Sequence, residues 1–314
     1  MRSNRKQQVK TVNEALVKYV NDLAGMEHVL KDEPMSRHTT FRVGGEAEYL
    51  VEVPDAEAMA AMIKRFNQIG IPYYVIGNGS NLLVGDKGIK GFVLDTSARM
   101  RKMEVQEERI IVEAGELLSR VAKEAKEHSL TGMEFAAGIP GTIGGALVMN
   151  AGAYDGEMKQ IVERVTVVST EGEILELDND TMEFGYRYSI LKDRPFVVLR
   201  AVLKLQKGDA GEIQAKMDDF AERRRQKQPL EYPSAGSTFK RPEGYFAGKL
   251  IMDAGMRGFR VGDAQISEKH CGFVINIGHA SAADISELMD EAAERVKGQF
   301  GVRLEPEVIK IGEF

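Results

Sequence analysis

A single cysteine, Cys271, occurs in the 314 residues, so no disulfide can close within the chain, which fits a reducing cytosol. No apolar run reaches the roughly 18 residues read as a membrane span. None follows the basic start at residues 1–10 either, so neither a transmembrane helix nor a secretory signal is expected. Histidine is sparse: His28, His38, His128, His270 and His279 show no paired ligand spacing, so no metal site is expected. Positive charge is in deficit. A formal net charge of -6 opposes nucleic acid and anionic membranes unless a local basic patch intervenes, and the dense basic runs are confined to residues 2–10 and 223–227. Two nucleotide signatures are also missing. Leu82 stands where a Rossmann fingerprint needs its third glycine, and Gly248-Lys249 lacks both the earlier glycine and the following Ser or Thr of a Walker loop.

What the chain does have is an ordinary soluble balance, 43% hydrophobic and 29% charged, which supports a real core. Its length exceeds one comfortable core and predicts two or three domains. Residues 11–24 read as an amphipathic helix. Alternation over 48–53 predicts a strand, Pro54-Asp55 a stop and cap, and Met59, Met62, Ile63 and Phe66 a helix ended by Gly70 and Pro72. A buried strand over 73–76 completes a β-α-β unit. Strands follow at 92–94, 110–113, 162–169, 174–177 and 196–205, with a helix around 117–126. Beyond a linker at 207–211, Ile213, Met217 and Phe220 mark a helix. An irregular stretch over 228–262, a strand over 272–277 and a helix capped by Ser281 come next, with Gly298 near that helix's end. A last strand over 302–311 would put Glu305 and Glu307 on one face. Helices and strands mix without regular alternation, so the fold class is α+β.

Glycine is clustered at positions that suggest chemistry. Gly77-Asn78-Gly79-Ser80-Asn81 follows a strand; its amides could form an anion-binding nest or simply a tight turn. Gly138-Ile139-Pro140-Gly141-Thr142-Ile143-Gly144-Gly145 could cradle phosphate or be a hairpin packed on another backbone. Asn150-Ala151-Gly152-Ala153-Tyr154 repeats the small-residue theme. Two such segments suggest a long, doubly phosphorylated ligand such as a dinucleotide. Cys271 beside His270 reads as packing, because neighbours in a strand point to opposite faces. Ser237 lacks the flanking glycines of a nucleophile elbow. Taken alone, Arg187, Glu305 and Glu307 could all be solvated charges.

The strings Gly77-Asn-Gly-Ser-Asn-Leu-Leu83, Gly138-Ile-Pro-Gly-Thr-Ile-Gly-Gly145, Met149-Asn-Ala-Gly-Ala-Tyr154, Phe184-Gly-Tyr-Arg187, Ala235-Gly-Ser-Thr-Phe-Lys240, Ala247-Gly-Lys-Leu-Ile251, Ser267-Glu-Lys-His270 and Leu304-Glu-Pro-Glu307 occur together and in order. The set resembles the UDP-N-acetylenolpyruvoylglucosamine reductase (MurB) family over roughly residues 36–312, in the shorter type that lacks a tyrosine-bearing lid insertion. The resemblance implies a vanillyl-alcohol-oxidase-type (PCMH-type) FAD-binding fold in two lobes plus an α+β substrate-binding domain. The lobes would span residues 1–90 with a return strand at 302–314, then 91–207; the substrate domain would span 208–301. It implies a cytoplasmic enzyme in which NADPH reduces FAD. Reduced FAD then reduces the enolpyruvyl group of UDP-N-acetylglucosamine enolpyruvate to UDP-N-acetylmuramate for peptidoglycan synthesis. No protein partner is implied.

By the same resemblance, Arg187 and Glu307 would stabilise the enolic intermediate, with a raised Glu307 pKa, and Ser237 would donate the proton. FAD would be held by Gly77, Asn78, Gly79, Ser80, Asn81, Gly138, Ile139, Pro140, Gly141, Thr142, Gly145, Asn150, Ala151 and Gly152. Arg225 and Arg241 would meet the UDP phosphates. Asp263 stands where the pattern has glycine. Two other classes stay open at this stage: a related flavoprotein oxidase using oxygen and an alcohol, and a nucleotide-binding module without catalysis. The absence of a histidine pattern for covalent flavin weighs against the first, and the presence of Ser237, Arg187 and Glu307 against the second.

Overall fold

The structure, a computed structural model, describes residues 12–314. The first helix runs over Glu14–Ala24; the Asn13 side chain caps it by accepting the Leu16 N–H at 2.9 Å. The start expected at residue 11 lies outside the described residues. A mixed four-stranded sheet follows, in the order Val29–Pro34, Glu46–Glu52, Ile89–Asp95, Tyr73–Ile76; only the first pair is antiparallel. The helix Ala56–Ile69 covers it. Asp55 accepts the Ala58 N–H at 2.9 Å, and Gly70 ends the helix at φ 69°, a left-handed value that glycine adopts without a Cβ penalty. Met59, Met62, Ile63 and Phe66 are fully buried, and Phe66 stacks on Phe92 at 4.6 Å. Each such side chain contributes about 1.5–3 kcal/mol. Ile89–Asp95 pairs on both sides in this sheet.

The second lobe is an antiparallel five-stranded sheet, in the order Ile174–Asp178, Val162–Val168, Val197–Lys204, Arg109–Glu113, Met103–Gln106. Helices Leu118–Glu127 and Ile143–Met149 supply Val121, Ala125, Ile143 and Leu147 to its core. Residues 188–196 connect directly to Val197–Lys204 through a single 3-10 turn, Ile190–Lys192, with no inserted segment.

Helix Ala210–Lys227 packs on the second lobe, with Met217 against its core and Phe220 stacked on Tyr154 at 4.3 Å. The third unit contains helices Ala247–Asp253 and Ala282–Phe300 and a sheet ordered Arg260–Val261, Ala264–Ile266, Val274–Asn276. Its core takes in Phe41, Val43 and Leu83 from the first lobe. Asp86 from that lobe accepts the Ala282 and Ala283 N–H groups at 2.8 and 2.9 Å, adding to the Ser281 capping box. The helix runs through Gly298 and stops at Gly301, φ 69°.

Two expectations are corrected. The stretch 228–262 is not irregular throughout: it holds Ala247–Asp253 and a hairpin arm. The hairpin turns at Gly262-Asp263, where only Gly262 has positive φ, so Asp263 needs no glycine there, and its carboxylate accepts the His279 N–H at 2.7 Å. The last strand is Ile309–Ile311, parallel to Leu82–Val84, and does not begin at 302. Pro306 has no N–H for a ladder. The preceding backbone pairs instead with 238–240: Lys240 N–H to Glu305 C=O and Glu307 N–H to Thr238 C=O, both 2.9 Å.

Candidate active site

That pairing separates the two glutamates. Glu305 is exposed and meets Lys240 at 3.1 Å. Glu307 turns inward, 13% exposed, and accepts from Arg187 Nε at 2.6 Å. Asn81 braces the same segment: its Nδ2 donates to Glu307 C=O at 3.1 Å, and its C=O accepts the Ile309 N–H at 2.9 Å.

Arg187 arrives from the opposite lobe. Gly185 and Tyr188 exchange backbone hydrogen bonds at 3.0 and 3.2 Å, leaving Tyr186-Arg187 as the tip of a tight turn. Arg187 sits at φ 54°, a left-handed position that costs a non-glycine residue about 1–2 kcal/mol. Asn150 holds the turn. Buried and itself left-handed at φ 43°, it donates to Gly185 C=O at 3.0 Å and to Glu157 at 3.1 Å, and accepts the Lys159 N–H at 2.9 Å. Backbone strain concentrated on one arginine and over-determined by its surroundings is what a pre-organised site would show.

Arg187, Ser237 and Glu307 line one cleft of ≈ 410 Å³, together with Arg241, Arg257 and Lys269. In an acidic protein this is a local concentration of cations suited to an anionic ligand. Burial pushes the Glu307 carboxyl up, and Arg187, Lys192 and Lys240 only partly pull it back. Burial and the charge of Lys240 push Lys192 down. His270 also lines the cleft; its Nδ1 accepts the Gly272 N–H at 3.0 Å, which leaves its proton on Nε2. Neither His270 nor Cys271 lies in a strand; Cys271 packs in the core at the edge of the cleft, where burial pushes its thiol up.

A second cleft of ≈ 520 Å³ adjoins the first through the Gly236–Ser237 peptide. Gly77, Asn78, Gly138 and Pro140 line it. The two glycine loops are locked together: Asn78 Nδ2 donates to Pro140 C=O at 2.6 Å, and a Cβ on Gly77 would lie 2.1 Å from Thr142 Oγ1. A Cβ on Gly79 would fall 2.0 Å from His38 O, at φ 59°. Ser80 faces Gly141 across the loops, Ile139 is anchored to Ala136 C=O, and Thr142 caps the next helix by accepting the Gly145 N–H at 3.5 Å. Thr40 Oγ1, buried in the cleft wall, has no partner among the described residues.

Bare loop backbone, an unpartnered hydroxyl and a nearby guanidinium fit an elongated anionic cofactor. That guanidinium is Arg224. It packs on Gly138, its Nε donates to the neutral Gln228 Oε1 at 3.0 Å, and burial pushes its pKa down. No carboxylate pairs with it among the described residues.

The sequence reading passed over Arg224, although Ile213, Met217, Phe220 and Arg224 fall at helical spacing on one stripe. Arg225, expected at the UDP phosphates, points outward and pairs with Glu222 at 2.6 Å; it lines neither cleft. Ala151 and Gly152 are engaged by the protein itself: Ala151 N–H to Ala146 C=O at 2.8 Å, and Gly152 in a short ladder with Glu157. Asn81 and Asn150 likewise spend their side chains on positioning Glu307 and the Arg187 turn.

Comparison with known proteins agrees with this geometry. Residues 47–178 match the FAD binding domain family, and residues 228–311 match the C-terminal domain of UDP-N-acetylenolpyruvoylglucosamine reductase. The UDP-N-acetylenolpyruvoylglucosamine reductase of Agathobacter rectalis is 50% identical over 315 residues, covering 96% of this chain and 100% of the relative. That of Clostridioides difficile is 50% identical over 297 residues, covering 94% and 98%. The crystal structure of the MurB enzyme from Thermus caldophilus superposes with a TM-score of 0.77 at 36% identity, over 90% of this chain and 97% of that one. The fold is thus the expected vanillyl-alcohol-oxidase-type FAD-binding fold, with FAD as cofactor. On these grounds the chain belongs to the UDP-N-acetylenolpyruvoylglucosamine reductase family.

Proposed function

We propose that this chain uses NADPH to reduce the enolpyruvyl group of UDP-N-acetylglucosamine enolpyruvate, giving UDP-N-acetylmuramate. The observation that carries the reading is the Arg187–Glu307 pair at 2.6 Å, beside Ser237 in a cation-lined cleft that adjoins the glycine-loop cleft. When bound, FAD would supply the two-electron redox chemistry; residues 77–80, 138–142 and Gly145 would hold it and Arg224 would meet its phosphates, while Asn81 and Asn150 position Glu307 and the Arg187 turn.

The chain's own groups then do four things. Arg187 holds the substrate carboxylate, its planar fork pairing with two oxygens. As charge develops on the carbon next to that carboxylate, the fixed guanidinium stabilises it. Glu307 holds Arg187 in place, and its raised pKa favours a carboxyl proton that can face the growing negative charge. Ser237 Oγ gives its proton to that carbon; an alcohol is a weak acid, but a carbanion is a strong base in a site that excludes water. Arg241 meets the diphosphate. Arg225 is exposed and would join it only by leaving Glu222. Such a donor and substrate place the reaction in the cytoplasm; among the described residues no helix is long and apolar enough to cross a membrane.

The test is spectroscopic. Purified protein should be yellow, bleach with anaerobic NADPH, and recolour when the enolpyruvyl sugar nucleotide is added. Protein that stays colourless after incubation with FAD would remove the flavin premise. Rapid recolouring in air with no response to the sugar would favour the oxidase reading.

A further inference from the structure

The cleft that holds Arg187, Ser237 and Glu307 has a mouth built of exposed aromatic rings, and they are arranged in a row. The Arg187 guanidinium lies over the Tyr186 ring at 5.1 Å. The Tyr186 hydroxyl accepts the Arg241 N–H at 3.1 Å. The Arg241 guanidinium lies over the Phe246 ring at 4.1 Å. Phe246 ends the row, and 62% of it is exposed.

Among the described residues the Phe246 ring belongs to no hydrophobic core cluster. Its backbone is nevertheless fixed on both sides. Before it, Tyr245 N–H donates to Pro242 C=O at 3.1 Å across a turn with Gly244 at φ 74°. After it, its own C=O accepts the Lys249 and Leu250 N–H groups at 3.0 and 3.1 Å, at the start of Ala247–Asp253. A large ring held rigidly in water at the edge of a ligand cleft is a pre-formed contact surface, and little ordering entropy remains to be lost when it is used.

We propose that Phe246, backed by Arg241, is the shelf on which the uracil base of the sugar nucleotide stacks. This rests on the function proposed above. The order of groups along the row matches the order along the ligand: Arg187 takes the carboxylate at the reacting end, Arg241 takes the diphosphate, and Phe246 takes the planar base beyond it. Arg241 on one side of the ring polarises it and leaves the rest of its exposed surface for a π-face. The arrangement also gives the base a seat in a chain whose Arg187 turn leads directly into Val197–Lys204 with no inserted lid.

The experiment uses the holoenzyme and three variants, Phe246→Ala, Phe246→Leu and Phe246→Tyr, with Kd for UDP, 5,6-dihydro-UDP and inorganic pyrophosphate measured by titration calorimetry. Stacking on an aromatic side chain predicts that Phe246→Ala weakens UDP by about tenfold or more. Phe246→Leu should lose most of that, and Phe246→Tyr should restore it. The saturated, puckered base of dihydro-UDP should cost wild type a similar factor and cost Phe246→Ala little more, because the two changes remove one contact. Pyrophosphate should bind Phe246→Ala within about twofold of wild type. In turnover the loss should fall on KM for the sugar nucleotide.

Equal weakening of UDP and pyrophosphate would overturn the proposal, since Phe246 would then act only by holding Arg241. So would unaltered UDP affinity, or a loss confined to KM for NADPH, which would assign the ring to a dinucleotide base. Wild-type protein blind to UDP would overturn both this shelf and the function above; a failure confined to the Phe246 variants overturns the shelf alone.

Discussion

Replacing Arg187 by methionine should destabilise the protein in a way that depends on pH, and the size of the effect follows from Glu307. The guanidinium is within 2.6 Å of a carboxyl that is 13% exposed. Removing one partner of such a pair leaves the other buried without compensation, which costs about 3–5 kcal/mol when burial is complete. Glu307 has an escape, because it can take a proton. Its ordinary value is 4.5, burial already raises it, and Arg187 is the strongest influence pulling it back. Protonating a glutamate at pH 7 from 4.5 costs at most about 3 kcal/mol, at 1.36 kcal/mol per pH unit, and this caps the penalty.

The sign is fixed by linkage: a raised folded pKa means that the folded state binds more protons than the unfolded one, so stability is greatest below 4.5 and is lost as pH rises through the folded value. The window is wider in the variant, because its folded pKa is higher still. Urea unfolding of the FAD-saturated protein at pH 5 and pH 7 should therefore give a deficit of at most about 1 kcal/mol at the lower pH and about 3 kcal/mol at the higher. Adding Glu307→Gln should remove the difference between the two. A deficit equal at both pH values, or one that persists in the double variant, would refute the argument that Glu307 is the buried charge at stake.

Other substitutions probe single parts. Ser237→Ala should keep bleaching by NADPH but lose at least about a hundredfold in product formation; a parallel fall in both half-reactions would sink the proton-donor role. Gly79→Ala puts a Cβ 2.0 Å from His38 O at φ 59° and should yield protein without flavin absorbance; normal flavin content would show that the loop can shift. Arg224→Gln should weaken FAD by about tenfold, the usual scale for a charged hydrogen bond, whereas Arg225→Gln should bind FAD as wild type does; the reverse pattern would return Arg225 to the cleft. Asn150→Ala removes three hydrogen bonds under the Arg187 turn and should cost about 2–3 kcal/mol of stability and lower kcat more than it raises KM; an effect on stability alone would make Asn150 purely structural.

Much of the first lobe was legible because its signals are local. Asp55, four apolar residues at helical spacing and Gly70 define Ala56–Ile69 without reference to anything distant. The strands over 162–168 and 197–204 alternate or run apolar within their own length. The short helix Ala247–Asp253 was not legible, since seven residues with a glycine inside carry less than two turns of period. Its Gly248 is explained only by Gly272, whose backbone N would lie 2.9 Å from an added Cβ. The last strand was overcalled for a related reason. A pattern of alternating residues over 302–311 cannot reveal that 305 and 307 will bond to 238–240, more than sixty positions away along the chain.

The same contrast governs the site. Ser237, Arg187 and Glu307 lie on three segments separated by fifty residues or more, and no spacing rule connects them. The fold brings them together by three backbone devices: the Gly185–Tyr188 turn, the 238–240 pairing with 305–307, and Asn81 clamping Glu307 to the glycine loop. Each device works through hydrogen bonds to backbone groups and not through the side chains of Ser237, Arg187 or Glu307. The strings on which the family resemblance rests are accordingly longer than Ser237, Arg187 and Glu307 alone: Asn150 and Gly185 lie in them and shape the turn that carries Arg187. The neighbouring arginines 224 and 225 make the complementary point. Arg224 and Arg225 are indistinguishable as letters in a basic run. Only the helical phase set by Ile213, Met217 and Phe220 turns one toward Gly138 and leaves the other to Glu222. Where a charge is placed by the phase of the helix that carries it, reading that phase before choosing the residue is sufficient.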